Sequence, residues 1–420
     1  MIDTVFLCLE TTDAMTRRIV DVAHSFGDRV VLVSSSNRGP TGTDWLELDL
    51  RDEPERVAAR IREQITGARI IGALTDQEAF VVNTTAVAQA LGVARHSVET
   101  ATNARDKSRM KHAWQAAGVR TPAGTTFRSR REIAGADITF PAVIKPTHGY
   151  SSSGVRRVDD TAALLAQAQR IGLLNATTVA RDATEGTGFL VEQCLRGPEF
   201  AVDTVWFDGE PIHDCVQSRN HDECSDSPYF PDRVYLLDPA MPAERRKEIL
   251  DITYAAVRAL GITHGATHSE VRYDSGLPYM LETAARPGGS WLVYELMRLA
   301  HDADFTRALY LSHVCADAEE FKQRLGPVAW RSVPEGVSHF IYYLPHSGAG
   351  LVKEIHGLDE LAGREEVLLC HCYKQPGSHL LADDDLNAEP FCNVIARQTP
   401  DGPSLQELLS AYDRALTVVC

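Results

Sequence analysis

Thr263-His-Gly-Ala-Thr-His-Ser-Glu270 runs through Val271-Arg-Tyr-Asp-Ser-Gly-Leu-Pro-Tyr-Met-Leu281 into Glu282-Thr-Ala-Ala-Arg-Pro-Gly-Gly289. The Asp274-Ser-Gly276 triplet sits between two alternating apolar/polar runs, which is a hairpin signal. Such a hairpin places Glu270 and Glu282 near the same end of two paired strands. Like charges that close repel unless something neutralises them, and a divalent cation does so. Oxygen-only ligands suit Mg2+, with Mn2+ as its substitute. Arg286 and the Gly288-Gly289 turn add anion-binding capacity directly after the second carboxylate. Together these parts read as a phosphoryl-transfer site.

The rest of the chain bounds that reading. Its 420 residues are enough for roughly two to four domains. Its net charge is 42 − 58 = −16, which argues against nucleic acid or an anionic membrane as partner. Any phosphate must therefore be held by local cations. There is no apolar run near ~20 residues, and the first residues read as a strand instead of a signal peptide. Nine cysteines lie scattered without a framework spacing, as expected in a reducing cytoplasm. Cys370-His-Cys372 with His379 fits no standard zinc spacing, and a strand is the better reading.

Strand and helix patterns alternate over 1–105, which predicts a parallel βαβ domain. Its first turn, Glu10-Thr-Thr-Asp-Ala14, has no glycines, so the dinucleotide fingerprint is missing. Residues 106–186 read as a central lid subdomain, 187–315 as a catalytic subdomain, and 316–420 as a strand-rich lobe closed by a helix over Ser404–Val418. The polar stretch 217–239 has the length of a functional loop. Within it, His221, Asp222 and Glu223 are candidates for receiving an ammonium group, against the alternative of a solvated loop face. Arg219 and Arg233 are candidates for a substrate carboxylate on the same terms.

A strand ending in Lys145 feeds a small-residue turn, Gly149-Tyr-Ser-Ser-Ser-Gly154. Backbone N–H groups in such a turn can cradle phosphate oxygens, and the lysine adds a point charge. The order of a Walker A loop is absent. Lys107 stands at a predicted helix start. Val191-Glu192-Gln-Cys-Leu-Arg-Gly-Pro-Glu199 reads as strand, turn, strand.

In this order and spacing, these segments resemble the ATP-grasp superfamily over about residues 95–300. Gly265-Ala-Thr-His-Ser-Glu270 and the Arg286-Pro-Gly-Gly289 turn look most like the L-amino acid ligases that form dipeptides. The resemblance implies an N-terminal βαβ domain, a central lid and a C-terminal mixed-sheet lobe, an α/β and α+β architecture. It implies that Lys107 and Lys145 contact ATP phosphates and that Ser151, Ser152, Ser153 and Gly154 close over them. Glu192 and Leu195 would flank adenine, Cys194 would offer backbone groups, and Glu199 would hold the ribose. Glu270 and Glu282 would bind Mg2+, and Arg286 would face the transferred phosphate. Ala284 departs from the pattern, because many members carry an asparagine ligand there, and this puts a second metal ion in doubt.

The implied activity is an ATP-dependent ligase joining a carboxylate to an amine through an acyl phosphate, on small molecules, with a homodimer as the common assembly. His268 lies two residues before Glu270 and shares its strand face. It is either a catalytic residue or a packed histidine. Trp291, with Gly288 and Gly289, either shapes the substrate pocket or starts a helix from the core. Two other functions fit the same motifs. One is a ligase or carboxylase using bicarbonate or a nucleotide precursor, although the chain has no Ala-Met-Lys-Met biotin-carrying segment. The other is a non-catalytic ATP-binding regulator.

Overall fold

The computed structural model describes residues 3–149, 151–177, 188–219, 230, 233–289, 291–327, 330–346, 348–380 and 391–420. The N-terminal sheet has the order β3-β2-β1-β4, from β1 (Asp3–Leu9), β2 (Arg29–Ser34), β3 (Asp44–Glu47) and β4 (Ala68–Leu74), all parallel. β1 is buried from Val5 to Leu9, as a strand covered on both faces must be. The crossovers run through α1 (Asp13–Ser25), α2 (Pro54–Gln64) and, after β4, α3 (Val81–Leu91). Thr12 caps α1 and is tied to Asp76, just past the end of β4. Two helices, α4 (Val98–Arg105) and α5 (Lys107–Ala116), then leave this domain. Asp106 caps α5 by accepting from the Ser108 and Arg109 amides, which fixes Lys107 at the first turn.

A four-stranded antiparallel sheet follows, in the order β5-β8-β6-β7. It comprises β5 (Gly124–Phe127), β6 (Ala142–Pro146), β7 (Arg156–Val158) and β8 (Phe189–Gln193). α6 (Arg130–Ala134) and α7 (Thr161–Thr177) complete this lobe. Ala142, Ile144, Phe189 and Val191 turn into its small core. Val143, Lys145 and Glu192 are thereby turned to the opposite face, because strand side chains alternate.

The remaining strands form one eight-stranded sheet, β13-β12-β9-β10-β11-β14-β19-β17. Its first part holds β9 (Glu199–Phe207), β10 (Glu210–Arg219), β11 (Val234–Leu237), β12 (Gly265–Asp274) and β13 (Leu277–Ala284), with α8 (Ala243–Ala259) on one face. On the other face, α9 (Leu292–His301) and α10 (Phe305–Val314) bind the sheet to the N-terminal domain. α11 (Ala318–Leu325) follows. β14 (Ser338–Leu344), β17 (Val367–Cys372) and β19 (Cys392–Gln398) then extend the same sheet through the β11–β14 pairing. Short pairs lie at the rim: β15 (Gly350–Leu351) with β18 (His379–Leu380), and β16 (Glu354–His356) with β20 (Thr417–Val419). α12 (Leu358–Ala362) and α13 (Leu405–Ala415) cover this end.

Two details depart from the sequence reading. The closing helix stops at Ala415, and Thr417–Val419 becomes a strand because Thr-Val-Val is β-branched and has β16 to pair with. The long stretch after β10 contains β11, four residues whose hydrogen bonds join the two halves of the sheet.

Candidate active site

The hairpin in the opening motif forms as its sequence requires. β12 and β13 pair antiparallel, and Glu270 stands directly opposite Glu282. A bulge follows at Glu270/Val271, one extra residue that re-aims the strand beside the site. Ser275 and Gly276 take positive φ to close the turn.

Glu270 and Glu282 line a cleft of about 660 Å³ together with Lys107, Lys145, Ser152, Ser153, Glu192, Leu195 and Glu199. Val143, Pro146, Phe230 and Leu281 supply its apolar wall. Ser151, Ser152 and Gly154 all take positive φ, so the small-residue turn after β6 coils back over the cleft. Gly149 cannot be larger, because a Cβ there would lie 2.7 Å from the Pro146 ring.

Buried cations and carboxylates alternate around this cleft. Lys107 Nζ lies 3.3 Å from Glu282 Oε2 and donates to the Gly149 carbonyl at 3.0 Å. Lys145 pairs with Glu192, and Lys111 Nζ sits 3.2 Å from the other oxygen of the same carboxylate. Arg219 Nη1 lies 2.6 Å from Glu270 and 2.7 Å from Glu199, whose second oxygen meets Arg272 at 2.9 Å.

The acidities follow from these neighbours. Burial pushes Glu282 up, but Lys107 and Lys145 outweigh it and hold the carboxyl down at about 2. Glu270 shifts the other way. Burial and the facing charge of Glu282 raise it, against Arg219. Burial pushes Lys111 down to about 8 despite Glu192. Lys145 stays above the usual lysine range, because Glu192 and Glu282 overcome its burial.

The donor set fits a hard divalent cation. It offers two facing carboxylates and no sulfur or nitrogen, and the upward shift of Glu270's pKa marks a carboxylate that a nearby positive charge would relieve. Among the described residues no third carboxylate, histidine or cysteine joins them in a metal-binding group. That matches Mg2+, which commonly takes one or two protein carboxylates and completes its octahedron with phosphate and water.

Other candidates lie elsewhere. Arg286 is outside the cleft lining; its Nε sits 2.8 Å from Glu78 Oε2, on the short helical turn after β4. His268 is buried, with Nδ1 3.0 Å from Asp203 Oδ2. Asp203 also accepts the Gly288 amide at 2.8 Å and Gln217 Nε2 at 3.2 Å. A Cβ on Gly288 would strike both His268 and Asp203. Trp291 is buried in the core, with Arg18 4.9 Å over its ring and His371 edge-on at 5.3 Å. Cys194 is half-buried beside the cleft. His221, Asp222 and Glu223 lie outside the described residues.

Lys111, Arg272, Asp203 and Glu78 escaped the sequence reading. Only Lys111 carried a local signal, since Lys107 and Lys111 are one helical turn apart. The other three find their partners across distant segments.

Residues 138–295 match the family model described as ATP-grasp domain. The chain has the ATP-grasp fold. Its fold is also that of a crystallised L-amino acid ligase from Bacillus licheniformis, with a TM-score of 0.84, 23% identity, and coverage of 100% of this chain and 99% of that one. Alanine–anticapsin ligase of Bacillus subtilis (strain 168) is 26% identical over 270 residues, 60% of this chain and 55% of that protein. D-alanine–D-alanine ligase of Pseudomonas fluorescens (strain Pf0-1) is 31% identical over 190 residues, 44% of this chain and 54% of that protein. The matched stretch thus spans little more than half of these curated relatives. Among the described residues no helix is long and apolar enough to cross a membrane.

Proposed function

We propose that the chain is an ATP-dependent carboxylate–amine ligase that joins an amino acid to a second amino acid or an amine. The reading rests on one observation: Glu270 and Glu282 face each other in a cleft rimmed by Lys107, Lys145 and a coiled Ser/Gly turn. The named ligase relatives support it.

A carboxylate resists attack by an amine at neutral pH. Moving the γ-phosphoryl group of ATP onto it creates an acyl phosphate with a good leaving group, and ADP departs. The amine nitrogen then forms the amide bond, and phosphate leaves. Lys107 and Lys145 stabilise charge on the phosphoryl oxygens, where pre-placed charge contributes most. The turn over 151–154 offers its amides to the phosphates, and Leu195, Val143 and Phe230 offer an apolar bed for adenine. Glu199 takes the ribose hydroxyls, with the backbone at Cys194 beside the base. Glu192 keeps Lys145 charged and fixes both Lys145 and Lys111 in place. Mg2+ on Glu270 and Glu282 would screen the phosphates when bound, and Mn2+ could replace it.

Arg286, tethered by Glu78, holds the carboxylate substrate. Its backbone continues into Gly288-Gly289, where small size lets the segment pack tightly on Asp203, His268 and Tyr343. Asp203 accepts from Nδ1 of His268, which leaves Nε2 of that ring able to take the ammonium proton.

The decisive experiment measures phosphate release with ATP and Mg2+ over a matrix of paired amino acids and amines, with bicarbonate as a further co-substrate and Glu282→Ala as control. Release that needs a particular pair, with the amide seen by mass, is the expected result. Release driven by bicarbonate alone would replace this reading with a carboxylase. Tight ATP binding with no turnover on any pair would replace it with a regulatory role.

A further inference from the structure

A second cavity of about 540 Å³ lies at the seam between the N-terminal domain and the central sheet, and shares no lining residue with the ATP cleft. β4 contributes Ala73 and Leu74, α3 contributes Val81, Thr84 and Ala88, and β12 contributes Gly265 and Ala266. Arg95, His96, His264, His313 and Arg286 bring the polar groups. No carboxylate lines it. That is the reverse of the ATP cleft, where each cation has an acid within reach.

Two polar atoms in this lining are buried and have no hydrogen-bond partner among the described residues: Thr84 Oγ1 and His96 Nδ1. Thr84 is 6% exposed. Burying such groups without partners is costly, so both point to an occupant that supplies acceptors. Arg95 spends Nε and Nη2 on the carbonyl of His313 at the end of α10, and no ion pair engages it among the described residues. His313 Nε2 approaches because Gly265 has no side chain; a Cβ there would lie 3.3 Å away. Burial holds the three imidazoles below the usual histidine range, aided by Arg95 at His264 and His313 and by neighbouring imidazoles at His96 and His313. A cavity rich in N–H and O–H donors, with the Arg95 guanidinium in its lining and walls of alanine, leucine and valine, is matched to an anion with a short apolar body.

We propose that this seam cavity binds a small oxyanion, held by Thr84, His96 and Arg95. The same chemistry comes from two sources, a short aliphatic carboxylate or inorganic phosphate. The cavity backs onto Ala285-Arg286-Pro287, so its occupant touches the segment that positions Arg286. This inference stands whether or not the chain is a ligase.

The test is calorimetric titration of the full chain with isobutyrate and, separately, with phosphate, against chloride at equal ionic strength. Lys145→Met removes the lysine most able to hold phosphate in the ATP cleft. Thr84→Val and His96→Phe alter the seam while nearly keeping side-chain volume, and circular dichroism checks their folding. Binding should persist in Lys145→Met and weaken at least about tenfold in either seam variant, the loss of one buried hydrogen bond. Stronger binding of isobutyrate would identify a carboxylate site, and stronger binding of phosphate an inorganic one. Binding that vanishes with Lys145→Met and survives both seam variants would overturn the proposal, as would no binding of either anion.

Discussion

Two carboxylates on the same face of the central sheet, Glu270 on β12 and Asp203 on β9, live in opposite surroundings. Asp203 is fully buried and satisfied, accepting from His268, Gly288 and Gln217. Glu270, two residues along from His268, faces another carboxylate and opens onto a cleft. A buried acid with three donors is part of the framework, and removing it strands its partners. An acid opposite a like charge is poised for a ligand, and the fold gains little from it. The difference separates residues that build the site from residues that use it.

The largest expected effect sharpens that contrast on the ligand side. Glu270→Ala should lower phosphate release by about 10²–10³-fold, the usual loss when one electrostatic contributor to phosphoryl transfer is removed. Its urea unfolding midpoint should move little, because the lost attraction to Arg219 is offset by lost repulsion from Glu282. A midpoint that falls as steeply as activity would make Glu270 a framework residue and erase the distinction.

Asp203→Ala is the counterpart. It leaves His268 and the Gly288 amide without their acceptor in a closed environment, so stability should fall by about 3 kcal/mol. Chemical denaturation measures this directly. An unchanged midpoint would show that water replaces the carboxylate and that the cluster is open. The stability loss should exceed that of Glu270→Ala even though Asp203 touches no part of the cleft lining.

The same contrast explains what the sequence disclosed. Glu270 and Glu282 are joined by one short hairpin, so spacing and a turn signal suffice to bring them together. Lys145 and the Ser/Gly turn are likewise continuous in the chain. The N-terminal parallel sheet was legible because each strand is a short apolar run bounded by helical periodicity. Asp203 looks like one polar residue in an apolar strand, and only the β9–β12 register reveals that it faces His268. Glu78 meets Arg286 across more than two hundred residues, and no local pattern encodes that meeting. Trp291, read as either pocket wall or core, lies in the core because Arg18 from α1 and His371 from β17 close over it. The sheet's continuity past residue 315 depended on β11, whose four residues sit in a stretch that composition marks as loop.

Lys111 gives the smallest effect and the most specific one, because it is a framework cation that meets the ligand cleft only through Glu192. Its ammonium meets Glu192, the Thr121 hydroxyl at 2.6 Å and the Met280 carbonyl at 3.3 Å. Burial still lowers its pKa from 10.5 to about 8. Between those two values the unfolded chain keeps the proton and the folded chain has released it. The unfolded state therefore binds more protons there, and stability must rise with pH across that window. The gain is about 1–3 kcal/mol once solvent relaxation is allowed for. Lys145 does not cancel it, because its shift is upward and its contribution is lost only above the ordinary lysine range. Urea midpoints at about pH 7 and about pH 9.5, compared between the natural chain and Lys111→Met, isolate this one group. The natural chain should gain stability relative to the variant as pH rises. Parallel curves would mean that Glu192 holds both lysines charged throughout, and that the carboxylate, not burial, governs this side of the cleft.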